Sequence, residues 1–182
     1  VNYSDLCRDA GLSDKTAKAW VSVLRGSGIV RLLDAFAPNT TKALSKSPKL
    51  YFTDTGLACH LLGITTPQAL EASPLAGALF ETFAVSEVMK SYLNAGLTAD
   101  ALGYYRETTG RRREVDLVVR EGNVLHPIEV KSGTAPGEEA VRHFGALADL
   151  PGYELGAGEV VCRTADPYSL SPTARAVSVW DI

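Results

Sequence analysis

The stretch that most constrains this chain runs from Gly110 to Gly133, GRRREVDLVVREGNVLHPIEVKSG. Two apolar runs flank Glu121-Gly122-Asn123. Val115, Leu117 and Val119 alternate with more polar positions before it, and Leu125, Ile128 and Val130 follow it. That pattern predicts a hairpin of two half-buried strands. On such a hairpin Asp116 stands near the start of the first strand. Glu129 and Lys131 are two residues apart on the second, so their side chains leave one face. Two carboxylates and an ammonium on a rigid hairpin can hold a hard divalent cation beside a phosphate. Mg²⁺ takes oxygen ligands, usually one or two protein carboxylates, and leaves its other positions to water and substrate. A lysine alongside can orient an attacking water or stabilise charge developing on phosphorus.

Asp116 followed by Glu129-Val130-Lys131 resembles the signature of the PD-(D/E)xK nuclease superfamily, the fold of many restriction endonucleases and Holliday-junction resolvases. The superfamily also carries a glutamate on the helix before the hairpin. Gly77-Ala78-Leu79-Phe80-Glu81 matches that segment, opening a helix through about Ala95, with Glu81 as the matching acid and Glu87 in reserve. Val115 stands where the signature has proline. The resemblance implies an α/β protein with a restriction-endonuclease-like α-β-β-β-α-β core and a mixed central sheet. It further implies Mg²⁺ or Mn²⁺ on Asp116, Glu129 and the Val130 carbonyl, with Glu81 completing the acidic cluster and Lys131 positioning water. Taken together, LYFTDTGLACHLLGI, GALFETFAVSEVMKS, YYRETTGRRREVDLVV and PIEVKSG resemble one family more narrowly. It is the domain of unknown function 4143, the C-terminal part of predicted AAA-type ATPases of bacteria and archaea. The likeness runs from about Tyr3 to Gly133 and implies an ATPase upstream in the same polypeptide.

The 182 residues, 46% apolar and 21% charged, fit one globular domain with a small appendage. No run of about 18 apolar residues predicts a membrane span, and no charged-then-apolar leader predicts secretion. Cys7, Cys59 and Cys162 are widely spaced and odd in number, which points to reduced thiols and a cytoplasmic setting. The chain starts at Val1 and its only methionine is Met89, so it is expected to be a piece of a longer polypeptide. It carries no Gly-x-x-x-x-Gly-Lys-Ser/Thr loop, hence no expected ATP site of that kind. His60, His126 and His143 have no zinc spacing, and a Gly-x-Ser-x-Gly elbow is missing.

Charge is unevenly divided. Residues 1–50 carry eight Lys or Arg against four Asp, while the remainder carries ten basic against seventeen acidic residues. A basic end on an acidic body permits nucleic-acid contact by that end. Residues 3–33 predict a small winged-helix-like unit. A first helix stops at Gly11, Ser13 caps a second with Ala17, Trp20, Val21 and Leu24 inward, and Ile29 to Leu33 is strand-like. Trp20 reads as core. Lys15 and Lys18 on the exposed face are candidate DNA contacts, and Arg111, Arg112 and Arg113 are candidate phosphate contacts.

Pro38 to Pro48 reads as a wing or loop, Leu50-Tyr51-Phe52 as a short buried strand, and Asp54 or Thr53 as the cap of a helix ending at Gly63. A winged-helix-like module with its joining helix is thus expected over residues 1–63. Thr65 to Pro74 reads as a linker and residues 75–182 as the nuclease-like domain. Within the latter, Phe80, Phe83, Ala84, Val88 and Tyr92 should face inward. Glu138 to Leu150 should form an amphipathic helix with Val141, Phe144, Leu147 and Ala148 inside. Val160 to Cys162 should be a buried parallel strand and Ala176 to Ile182 a last edge strand. Two functions compete: a metal-dependent nuclease, and a non-catalytic module of that fold that binds DNA or a protein partner for the ATPase. A winged-helix regulator is a third and weaker reading.

Overall fold

A computed structural model describes residues 3–36, 47–107 and 113–182. Pro38 to Lys46, in the expected wing, and Arg111 and Arg112 lie outside the described residues.

The chain begins with helix α1 (Tyr3–Ala10) and helix α2 (Asp14–Gly26). Gly11, at φ +64°, stands just beyond α1, and the Ser13 side chain accepts from the Thr16 N–H to cap α2. Strands β1 (Val30–Leu33) and β2 (Lys49–Phe52) form an antiparallel pair. Ala17 and Val21 are buried as the periodicity predicts, but Trp20 is 57% exposed. The expectation of a core tryptophan is therefore corrected. With so short a helix pair, the narrow Ala17–Val21 stripe is what reaches the hairpin, and Trp20 falls outside it.

Helix α3 (Thr55–Leu61) is capped by the Asp54 side chain, which accepts from the Leu57 N–H. The segment expected to be a linker contains helix α4 (Pro67–Glu71), capped by Thr66 with proline in its first turn. Helix α5 (Ala76–Asn94) then crosses the main sheet. That sheet is mixed: β3 (Leu102–Arg106), β4 (Glu114–Glu121), β5 (Val124–Val130), β6 (Glu154–Leu155), β7 (Gly158–Cys162), β8 (Tyr168–Ser171) and β9 (Ala174–Ser178). The order is β3-β4-β5-β7-β9-β8, with β6 pairing with β5. β3, β4 and β5 are antiparallel neighbours, and β7 and β9 run parallel to β5. The protein is thus a mixed α/β structure.

Two expectations for the C-terminal part are corrected. The Glu138–Leu150 helix is instead a 3₁₀ turn (Glu138–Val141) followed by the four-residue helix α6 (Gly145–Ala148). Gly145 weakens a continuous helix, and the separate tight turns bury Ala140, Phe144, Ala146 and Leu147 while Ala148 stays exposed. Nor is the last strand at the edge, because β9 lies between β7 and β8. The Ser171–Ala174 turn makes a hairpin whose first arm takes the edge.

The sheet separates two apolar clusters. One, with α5, gathers Val85, Val88, Met89, Tyr104, Leu117, Val119, Ile128, Val130, Val161 and Val177, with Phe80, Phe83 and Tyr92 packed on it. The other holds Tyr105, Val115, Val118, Leu125, Phe144, Leu147 and Val160. The Phe144 ring sits where a Cβ on Gly158 would approach to 2.6 Å, so the turn segment docks because that strand position lacks a side chain. Leu33, Ala35 and Tyr51 belong to the first cluster, so the N-terminal hairpin shares its core with the sheet.

Candidate functional site

Hairpin β4–β5 turns through Gly122-Asn123, with Gly122 at φ +63°. At its other end the register of β4 against β3 slips. Gly103 pairs with Val118, yet Tyr105 pairs with Val115, so a two-residue step faces a three-residue step. The extra residue lies beside Asp116. It explains why Val115 packs in the opposite cluster from Leu117, where strict alternation would put both on one face. Bulges of this kind re-aim side chains near the ends of strands.

Glu81, Asp116, Glu129, Val130 and Lys131 line one cleft of about 380 Å³, together with Gly77, Glu114, Ser132 and His143. The five positions predicted for metal and catalysis are thus brought together. The Asp116 carboxylate accepts from the Val130 N–H at 3.2 Å, which ties the β4 acid to the β5 backbone. Lys131 Nζ lies 2.7 Å from Glu129 Oε1. Glu129 Oε2 is buried with no hydrogen-bond partner. Burial, then the neighbouring Asp116 charge, push the Glu129 carboxyl up to about 7, against the opposing pull of Lys131 and Lys49.

Three side chains of the site were not singled out from the sequence. Lys49 Nζ, on the first residue of β2, lies 3.1 Å from Glu81, 2.9 Å from Glu114 and 3.1 Å from Asp116. Burial opposes its charge, but Asp116, Tyr51, Glu81 and the Glu114 hydrogen bond outweigh that and raise its pKa. The Tyr51 hydroxyl, two residues along β2, donates to Glu81 at 2.7 Å. Glu114 accepts a two-pronged pair of bonds from Arg106 at 2.8 and 3.0 Å. Burial opposes ionisation of Glu114, yet Arg106 and Lys49 prevail and lower its pKa. Period two could have flagged Glu114, which stands two residues before Asp116; Lys49 and Tyr51 come from a distant strand with no local signal toward the site.

The remaining candidates lie elsewhere. Glu87 pairs with Lys90 on α5 and does not line the cleft. Arg113 is committed to Glu107 at 2.8 Å and Asp149 at 3.1 Å. Lys15 and Lys18 are exposed on α2, with Lys18 paired to Asp14. A larger depression of about 1010 Å³, on the sheet beside Val88 and Tyr92, holds none of the predicted catalytic side chains. Among the described residues, no three His, Cys, Asp or Glu are grouped to hold one metal ion. No helix among them is long and apolar enough to cross a membrane.

An α/β sheet carrying an acid–lysine cleft at the open end of a hairpin is the class that these features define. Residues 76–182 match the family described as Domain of unknown function (DUF4143), and the chain belongs to that family. Residues 1–68 match a second family of unknown function, DUF8612. Two relatives, the uncharacterized proteins Mb2031c of Mycobacterium bovis and Rv2008c of Mycobacterium tuberculosis, are each 32% identical over 175 residues. The alignment covers 96% of this chain but 37% of each relative, so the chain spans little more than a third of their length. No solved structure matches the chain.

Proposed function

We propose that this chain is a nuclease-like module that hydrolyses phosphodiester bonds of nucleic acid with Mg²⁺ or Mn²⁺, within a polypeptide that also carries an AAA-type ATPase. The convergence of Glu81, Asp116, Glu129 and Lys131 on one cleft is the observation that carries the reading. The order of elements supports it: a long helix, three antiparallel strands, then turns leading to a strand parallel to β5. That is the sequence of parts in a restriction-endonuclease-like core. The helix pair, the second helix capped by Ser13, followed by a two-stranded hairpin likewise supports a winged-helix reading of the N-terminal part, with Lys15 and Lys18 on its second helix as the DNA contacts.

The donor set suits a hard divalent cation. It consists of carboxylate oxygens, two of which suffice for Mg²⁺, and Glu129 Oε2 is buried and unpartnered. Asp116 and Glu129 would hold the ion, helped by the Val130 carbonyl. When bound, the ion would neutralise phosphate charge and acidify a nearby water. Lys131, at 44% exposure the most open charged group of the cleft, orients that water and offsets charge developing on the phosphate. Glu81 extends the acidic wall from α5.

One observation favours the second reading, a nuclease-fold module that binds DNA or a protein without cutting. Lys49 already supplies a cation to three of the four carboxylates. The test is plasmid and branched-DNA cleavage with Mn²⁺ by the chain, Asp116→Ala and Lys131→Ala. Cleavage lost in both variants with the fold intact supports the nuclease. Metal-dependent cleavage retained in both would falsify the site.

A further inference from the structure

The Lys49 ammonium and the cleft carboxylates it pairs with come from different parts of the chain. Lys49 and Tyr51 lie on β2, within the segment matching one family, residues 1–68. Glu81, Glu114, Asp116 and Glu129 all lie within the segment matching the other, residues 76–182. The contact has two points. Lys49 Nζ sits among Glu81, Glu114 and Asp116, and the Tyr51 hydroxyl bonds Glu81. Lys49 is only 15% exposed, and its ammonium also lies 5.5 Å from the centre of the Tyr104 ring. It is a seated charge rather than a passing surface contact.

A divalent cation would need some of the same oxygens. With a Mg–O distance of about 2.1 Å, an ion on Asp116 Oδ1 would lie no more than about 5 Å from Lys49 Nζ, which is 3.1 Å from that oxygen. Two cations at such a separation in a half-buried cleft repel strongly.

We infer that Lys49 is an internal counter-ion of the cleft carboxylates, so that the N-terminal hairpin and a divalent ion compete for Glu81 and Asp116. The inference rests on the metal reading of the cleft. It adds that the hairpin holds the cleft in a metal-poor state and that ion binding drives Lys49 out. Tyr51 is a positioning residue, since it fixes Glu81 from the same strand.

Two measurements test this. In the first, Mn²⁺ is titrated calorimetrically into the chain, Lys49→Gln and Lys49→Gln/Asp116→Asn, with folding checked by circular dichroism. Lys49→Gln should bind Mn²⁺ at least about tenfold tighter than the chain, with the gain lost in the double variant. Equal affinities for the chain and Lys49→Gln overturn the competition and leave the metal site standing. Binding by neither overturns both.

Because Lys49→Gln strips a partner from three carboxylates, the second measurement needs no variant. The rate at which an amine-acetylating reagent modifies Lys49 is read by mass spectrometry, without metal and at saturating Mn²⁺. A rise of about tenfold is expected as the ammonium leaves the carboxylates. An unchanged rate in the presence of Mn²⁺ overturns the inference.

Discussion

Replacing Glu129 by glutamine should remove one component of the protein's pH-dependent stability, its sign fixed by the burial of that side chain. The Glu129 carboxyl titrates near 7 in the fold, against an ordinary value of 4.5, because burial and then Asp116 oppose its charge. Below pH 4.5 both folded and unfolded chains hold the proton. Between 4.5 and 7 the fold still holds it while the unfolded chain has released it, so stability falls as pH rises and the loss is complete above 7. At about 1.4 kcal/mol per pKa unit, the difference between the two values makes that loss about 3 kcal/mol. Glutamine keeps an acceptor for Lys131 and cannot titrate. Urea unfolding of both proteins in EDTA at pH 4.5, 6 and 8 should show the variant gaining on the parent by about 2 to 3 kcal/mol across the range. Glu114, whose lowered pKa acts in the opposite sense, is present in both proteins and cancels. A stability difference that stays constant within about 0.5 kcal/mol would refute the argument, because it would mean that Glu129 is ionised in the fold.

Tyr51→Phe removes one hydrogen bond to Glu81 from a side chain only 5% exposed, and should cost about 1 kcal/mol in urea unfolding without disturbing the shared core. Leu117 is fully buried between α5 and the sheet, so Leu117→Ala should cost about 2 to 5 kcal/mol, read in the same assay. Arg113 is already paired with Glu107 and Asp149, so Arg113→Gln should leave the salt dependence of any nucleic-acid binding unchanged. A shallower slope of log affinity against log salt in that variant would return Arg113 to the phosphate-binding set.

Much of the fold was legible because it is written locally. Ser13 and Asp54 each cap the helix that follows, and Gly11, Gly63 and Gly122 take the left-handed conformation beside a helix end or within the hairpin turn. The hairpin strands follow from spacing; on α5 spacing finds buried Ala84 and Val88, but Val85 and Met89 lie deeper than the partly buried Phe80, Phe83 and Tyr92. The misses were local as well as distant. The Glu138–Leu150 pattern is apolar at helical spacing, yet the chain takes it in separate turns, because docking Phe144 against Gly158 outweighs the weak helix propensity around Gly145.

The sequence by itself determined which side chains could meet on the hairpin: Asp116 near the start of one strand, Glu129 and Lys131 on one face of the next, and Glu81 on the helix before them. Alternation in strands and helix periodicity bring near neighbours together without reference to the rest of the molecule. Only the tertiary structure decided what stands between those carboxylates. Lys49 is 32 residues from Glu81 and 67 from Asp116 in the chain, and nothing in local spacing aims its ammonium at either. It arrives because the β1–β2 hairpin buries Leu33 and Tyr51 in the core beneath α5, which leaves the first residue of β2 against Glu81, Glu114 and Asp116. A charge placed by packing elsewhere in the fold cannot be read from the pattern around it.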